Sequence, residues 1–188
     1  MSVTVHAFAL SLDVWARRSP EPPTVDALLA AGVVDEELRV APAHAGWVTA
    51  VATLLGDNRK WYVNLDAEHV YTRARAHLEP DVRERLDDLM GRLFWEPAPE
   101  DAYRTVGDDH RIYSPAQLER VPDLREDDAS ALGEAILAAA AEPDRFETDH
   151  PHLWEPEWFI DWVRVWLRLF ARVRASGPSR ALLLWIWR

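Results

Sequence analysis

The chain has 188 residues, 48% of them hydrophobic and 28% charged, with 21 basic residues against 32 acidic ones and a formal net charge of -11. That balance argues against nucleic acid as a partner, because phosphates need a basic face. It suits a basic protein partner, through electrostatic steering, or serves only to keep the protein soluble, and net charge bears more on solubility than on partners. Cysteine is absent, which excludes disulfides, cysteine-ligated zinc and cysteine nucleophiles.

Residues 3–12, "VTVHAFALSL", alternate as a strand does, with Val3, Val5, Ala7 and Ala9 on one side and Thr4, His6, Phe8 and Leu10 on the other. No basic run precedes this apolar stretch and no small-residue cleavage site follows it, so it does not read as a signal peptide. "SPEPP" at 19–23 breaks the chain, Thr24 caps a short helix through "VDALLAA", and Gly32 stops it. "AHAGWVTAVATLLG" at 43–56 reads as a helix with Trp47, Val51, Leu54 and Leu55 inward. "GDNRK" is a turn, and "WYVNL" at 61–65 is a strand candidate.

Asp66 is expected to cap the next helix, running to about His77. Pro80 opens another, 80–95, with Val82, Leu86, Leu89 and Leu93 on one stripe. Residues 96–111 form the longest irregular stretch. In "SPAQ", Ser114 is the cap, Pro115 takes the first helical position and Gln117 completes a capping box. Residues 124–142 are a helix that Pro143 ends, and a tryptophan-rich helix follows until "SGP" at 176–178. "ALLLWIW" at 181–187 is apolar on both faces, as in a strand inside a sheet.

Helical patterns dominate, with strands at both ends of the sequence. The expected fold is α+β: one helix-rich domain over residues 1–188, with a small sheet that includes the N- and C-terminal strands and takes residues 61–65 as a further candidate. Asp161, Arg164 and Arg168 interrupt the longest apolar helix, so no membrane span is expected, and the protein reads as cytoplasmic.

Trp154, Trp158, Trp162 and Trp166 fall four apart. On a helix the last three form a ridge, which Phe159, Val163, Phe170 and Val173 widen. Such a stripe either fills a core or lines an aromatic pocket for a sugar, a base or a cation. The width of the apolar face favours core. Trp154 lies outside the regular helix, two residues before Pro156, and is expected off the ridge and at the edge of a shallow cleft.

Two stretches gather ligating residue types: Asp149, His150 and His152 in "TDHPH", and Asp108, Asp109 and His110 in "GDDH". Neither has the i, i+4 spacing that puts two ligands on one helix face, and there is no "HExxH", so no metal site is expected. No "GxSxG", "GxGxxG" or P-loop is present, and no cofactor is expected. The pairs Asp87–Asp88 and Asp127–Asp128 read as solvated helix faces. Arg164, Arg168, Arg172 and Arg174 form a strip expected to pair with acidic residues of neighbouring helices. The candidate ligand site is a cleft near residues 96–113 and 147–156, lined by Trp154, His110, His150 and His152.

Three further stretches carry a likeness. "WVTAVATLLG" has Trp47 nine residues before Gly56, "RIYSPAQLERV" joins a strand to a Ser-Pro cap, and an aromatic helix precedes "ASGPSRALLLWIW". With them the chain resembles the YfbM-like family of small bacterial proteins. It departs where that family shows an acidic-basic pair before the tryptophan helix; "APAHAG" stands here instead. The resemblance implies a compact α+β fold and assigns no catalytic residue. Through relatives suspected of neutralising toxins, it implies an immunity-type inhibitor of a basic toxin. The alternative is a small enzyme or ligand-binding protein using the His-lined cleft.

Overall fold

A computed structural model describes residues 2–57, 63–95, 110–141 and 155–187. The fold is α+β. Its strands are β1 (Ser2–Ser11), β2 (Val48–Asp57), β3 (His110–Tyr113) and β4 (Arg180–Trp187). Its helices are α1 (Leu12–Ala16), α2 (Val25–Ala30), α3 (Val63–Ala74), α4 (Pro80–Met90), α5 (Pro115–Glu119), α6 (Glu126–Ala140) and α7 (Pro156–Ala175). The chain groups into two compact units, residues 1–61, 97–120 and 169–188 in the first and residues 62–96 and 121–168 in the second.

The first unit is built on an antiparallel sheet of order β2-β1-β4-β3. The two terminal strands pair as expected, along the length from Thr4↔Trp187 to Ser11↔Arg180. β4 lies between two strands, and its Ala181, Leu182, Leu183 and Leu184 are all buried, which is why both of its faces are apolar. One sheet face carries Phe8, Leu10, Ile112, Ala181 and Leu183, and Trp15, Val25, Leu28 and Trp47 close over it. The other face carries Val5, Ala7, Ala9, Leu182 and Leu184. Tyr113, paired with Leu182, packs there against Phe170 in a tilted arrangement, with ring centroids 4.9 Å apart.

Two sequence expectations fail here. Residues 43–56 are not a helix: β2 occupies 48–57, and only a single 3-10 turn, Pro42–His44, precedes it. The apolar spacing of Trp47, Val51, Leu54 and Leu55 fits a helix, but Val48, Thr49, Val51 and Thr53 are β-branched, and pairing with β1 decides the outcome. The strand candidate 61–65 is helical from Val63 onward, so Asp66 lies inside α3 rather than at its cap. The sheet takes its remaining strands from 48–57 and 110–113 instead.

β2 is an edge strand among the described residues and carries a bulge: Ala7 pairs with Ala52 and Phe8 with Ala50, leaving Val51 as the extra residue. The carbonyl of Val51 accepts a hydrogen bond from Arg172 Nη1 at 3.5 Å. A bulge capped by a guanidinium is one way to blunt a free sheet edge.

Local signals account for several element ends. Thr24 Oγ1 accepts from the Ala27 N–H at 3.0 Å to start α2, and Gly32 ends it with φ +63°, in the left-handed region. The Ser114 capping box forms in full: Ser114 Oγ accepts from Gln117 N–H at 3.2 Å, and Gln117 Oε1 accepts from Ser114 N–H at 2.8 Å.

In the second unit α3, α4, α6 and residues 156–168 of α7 surround Val70, Leu86, Leu89, Leu132, Ile136, Phe159 and Val163, all buried. Trp162 is buried, tilted against Phe159 at 5.6 Å and stacked on Trp158 at 6.5 Å. Trp162 and Trp166 of the ridge are therefore core packing, with Trp158 half-buried beside them. Arg73 Nη2 donates to the Ala139 carbonyl at 3.1 Å, tying α3 to α6. No helix among the described residues is long and apolar enough to cross a membrane.

Candidate functional site

His110 opens β3 and is buried. Its Nε2 accepts a hydrogen bond from the Val25 N–H at 3.2 Å. Val25 begins α2, so His110 and Thr24 satisfy two of the amides that a helix start leaves without partners. The ring lies at 6.2 Å and 20° to Trp185, its partner on β4. On the far side of Trp185, His6 of β1 stacks at 5.5 Å, and His6 Nδ1 sits 3.4 Å from Thr53 Oγ1 of β2. Thr53, His6, Trp185 and His110 thus form one cross-strand row over all four strands. Burial holds the His6 imidazole below its ordinary pKa. Trp187 stacks on Trp185 at 6.3 Å and is 60% exposed.

His150, His152 and Trp154, expected beside His110, lie outside the described residues, as do Asp108, Asp109 and Asp149. His110 is the member of that set the structure places, and its Nε2 is already engaged in holding α2.

The carboxylate pairs are not both solvated. Asp128 is buried and bound by Arg85 of α4, with Nη2 2.5 Å from Oδ1. Asp87 takes both Arg75 nitrogens at 2.6 and 2.7 Å and the Tyr71 hydroxyl at 3.0 Å. The Arg75 hydrogen bonds hold the Asp87 carboxyl below the usual range, while burial pushes the Tyr71 hydroxyl up. These groups tie helices together. The arginine strip divides likewise: Arg164 pairs with Glu126 of α6 and Asp161 of its own helix, whereas Arg172 and Arg174 donate to the carbonyls of Val51 and Leu118.

A groove of about 910 Å³ runs between α6 and the start of α7, within the second unit. Its floor is apolar: Ala129, Gly133, Leu137, Pro156 and Ile160. Its rims are acidic: Glu126 and Glu134 on α6, and Glu155, Glu157 and Asp161 on the other wall. Among the described residues Arg164 is the one cation in the lining, set against five carboxylates. Leu137 is 59% exposed, unusual for a large side chain of an apolar stripe. Glu134, Glu155 and Glu157 have no ion-pair partner among the described residues. The groove was missed in the sequence because neither helix shows it alone. Its one local trace is Leu137, three residues beyond Glu134 and four beyond Gly133.

No protein-family model, curated protein or solved structure matches the chain.

Proposed function

We propose that this protein acts by binding a basic protein partner through the acidic groove between α6 and α7, as an immunity-type inhibitor masks a toxin. One observation carries the reading: an apolar floor between two carboxylate rims, with three of the five carboxylates unneutralised among the described residues. Such a surface gains apolar burial from a guest while its rims select for positive charge. The net charge of -11 adds long-range attraction, which raises association rates with a cationic partner.

The test is affinity capture from the native host with the wild-type chain and a Glu134→Arg/Glu157→Arg variant side by side at physiological salt. A basic protein that binds the purified wild type and is lost by the variant, at unchanged melting temperature, is the expected outcome. Partners retained equally by both chains would remove the groove from the reading.

A further inference from the structure

The groove has a period. On α6 the floor residues Ala129, Gly133 and Leu137 stand four apart, and the rim residues Glu126, Ser130 and Glu134 repeat the same spacing beside them. On α7, Pro156 and Ile160 stand four apart on the floor, and Glu157 and Asp161 do so on the rim. The two walls approach each other at Gly133, where a side-chain carbon would meet Ile160 Cδ1 and Pro156 Cβ at 3.5 Å, an ordinary van der Waals contact. The floor is therefore a narrow apolar stripe, ~12 Å long from Ala129 to Leu137 at 1.5 Å per residue, with carboxylates along both sides.

The complement of that surface is a second apolar stripe of the same period, flanked on both sides by cations. An α-helix with apolar residues three and four apart and lysine or arginine beside them has that form. A strand, whose side chains alternate with period two, presents only every second residue to one face and matches neither rim. We infer that the occupant is a basic amphipathic helix of the partner protein. This rests on the groove being the binding site and specifies what fills it.

Arg164 gives the inference a handle. Its Nη2 lies 3.1 and 3.0 Å from the Glu126 carboxylate oxygens, and its Nη1 lies 3.5 Å from Asp161 Oδ1. It holds, from within the chain, two of the carboxylates that a guest cation needs. Arg164 is thus a tethered competitor at one end of the groove, and a guest helix must displace it or forgo Glu126.

The experiment uses the full chain and two synthetic peptides of about 15 residues, roughly four helical turns. Both have the same leucine and lysine content. One places its leucines in an i, i+3, i+4, i+7 stripe, and the other scrambles them. Fluorescence anisotropy at physiological salt should show the striped peptide binding at least about tenfold more tightly than the scrambled one. Glu134→Lys/Glu157→Lys should weaken the striped peptide by about tenfold or more, and Arg164→Gln should tighten it several-fold. Thermal melting confirms that each variant is folded. Equal affinity for the two peptides would overturn the helical occupant while leaving a basic partner in place. Failure of both peptides to bind would overturn the groove reading itself. An Arg164→Gln chain that binds no more tightly would remove Arg164 as competitor.

Discussion

The Nε2 of His110 accepts the N–H of Val25 at 3.2 Å, across 85 residues of sequence. A nitrogen that accepts must carry no proton, so the first turn of α2 depends on the state of a side chain on β3. The bond ties the helical cover of the first unit to the short outer strand of its sheet.

His110→Phe tests that link. The substitution keeps a ring against Trp185 and removes the Nε2 acceptor. It leaves the buried Val25 amide unsatisfied, a loss of about 1–3 kcal/mol. Urea denaturation gives the number. A change under about 0.5 kcal/mol would mean that the helix start needs no partner at Val25.

The other imidazole in the row gives a pH dependence. Burial holds His6 below its ordinary 6.5, so the folded chain protonates it at lower pH than the unfolded chain does. Between those two values the unfolded state binds more protons, and stability falls as pH falls. The contribution is complete above the unfolded pKa and is lost as acid carries the chain down through the folded one. His6→Phe keeps the stack on Trp185 and removes the titration. Its loss of denaturation midpoint between about pH 7.5 and pH 5 should be smaller than that of the wild type. An identical loss would show that other groups set the acid limb.

Two glycines should respond to alanine with opposite signs. Gly32 ends α2 at φ +63° with nothing within 4 Å of a new Cβ, so its penalty is backbone strain alone, about 1–2 kcal/mol. Gly133 sits inside α6, where a Cβ would make ordinary contacts at 3.5 Å, so Gly133→Ala should stabilise by about 0.5–1 kcal/mol. Thermal melts of the two variants decide. Destabilisation by Gly133→Ala would mean that α6 and α7 pack more tightly at this point than those contacts imply.

How much of this was legible follows from the range of each interaction. The Ser114 box, the Thr24 cap and the Gly32 stop are complete within a few residues, and they form as read. The tryptophan ridge has a helical period that needs no partner to recognise, and Trp162 and Trp166 are buried as core. β2 was misread because a spacing of four and three residues also suits a helix. Only the ladder to β1, some 45 residues away in sequence, separates the two. Asp128 resembles any first-turn carboxylate until Arg85 arrives from another helix. The groove and the His110 bond are juxtapositions of this same long-range kind. A single helix or strand carries half of each, and half is indistinguishable from ordinary surface or core.

β4 pairs with β1 on one edge and β3 on the other, so it is the only link between them in the described sheet. Deleting residues 181–188 detaches β3 from the sheet. It also uncovers Phe8, Leu10 and Ile112 on one face and Val5, Ala7 and Ala9 on the other, all of which are buried in the intact chain. The loss includes Ala181, Leu182, Leu183 and Leu184, and burying one leucine is worth about 1.5–3 kcal/mol. A domain whose whole stability is ~5–15 kcal/mol does not survive that removal. The truncated chain should therefore show no cooperative transition and no near-ultraviolet circular dichroism from the first unit's packed aromatics. Trp187→Ala is the control. That side chain is 60% exposed, and its removal should change stability by only about 0.5 kcal/mol. Native-like melting of the truncated chain would contradict a sheet in which β4 lies between β1 and β3. A large loss from Trp187→Ala alone would instead make the exposed end of the strand the anchoring part.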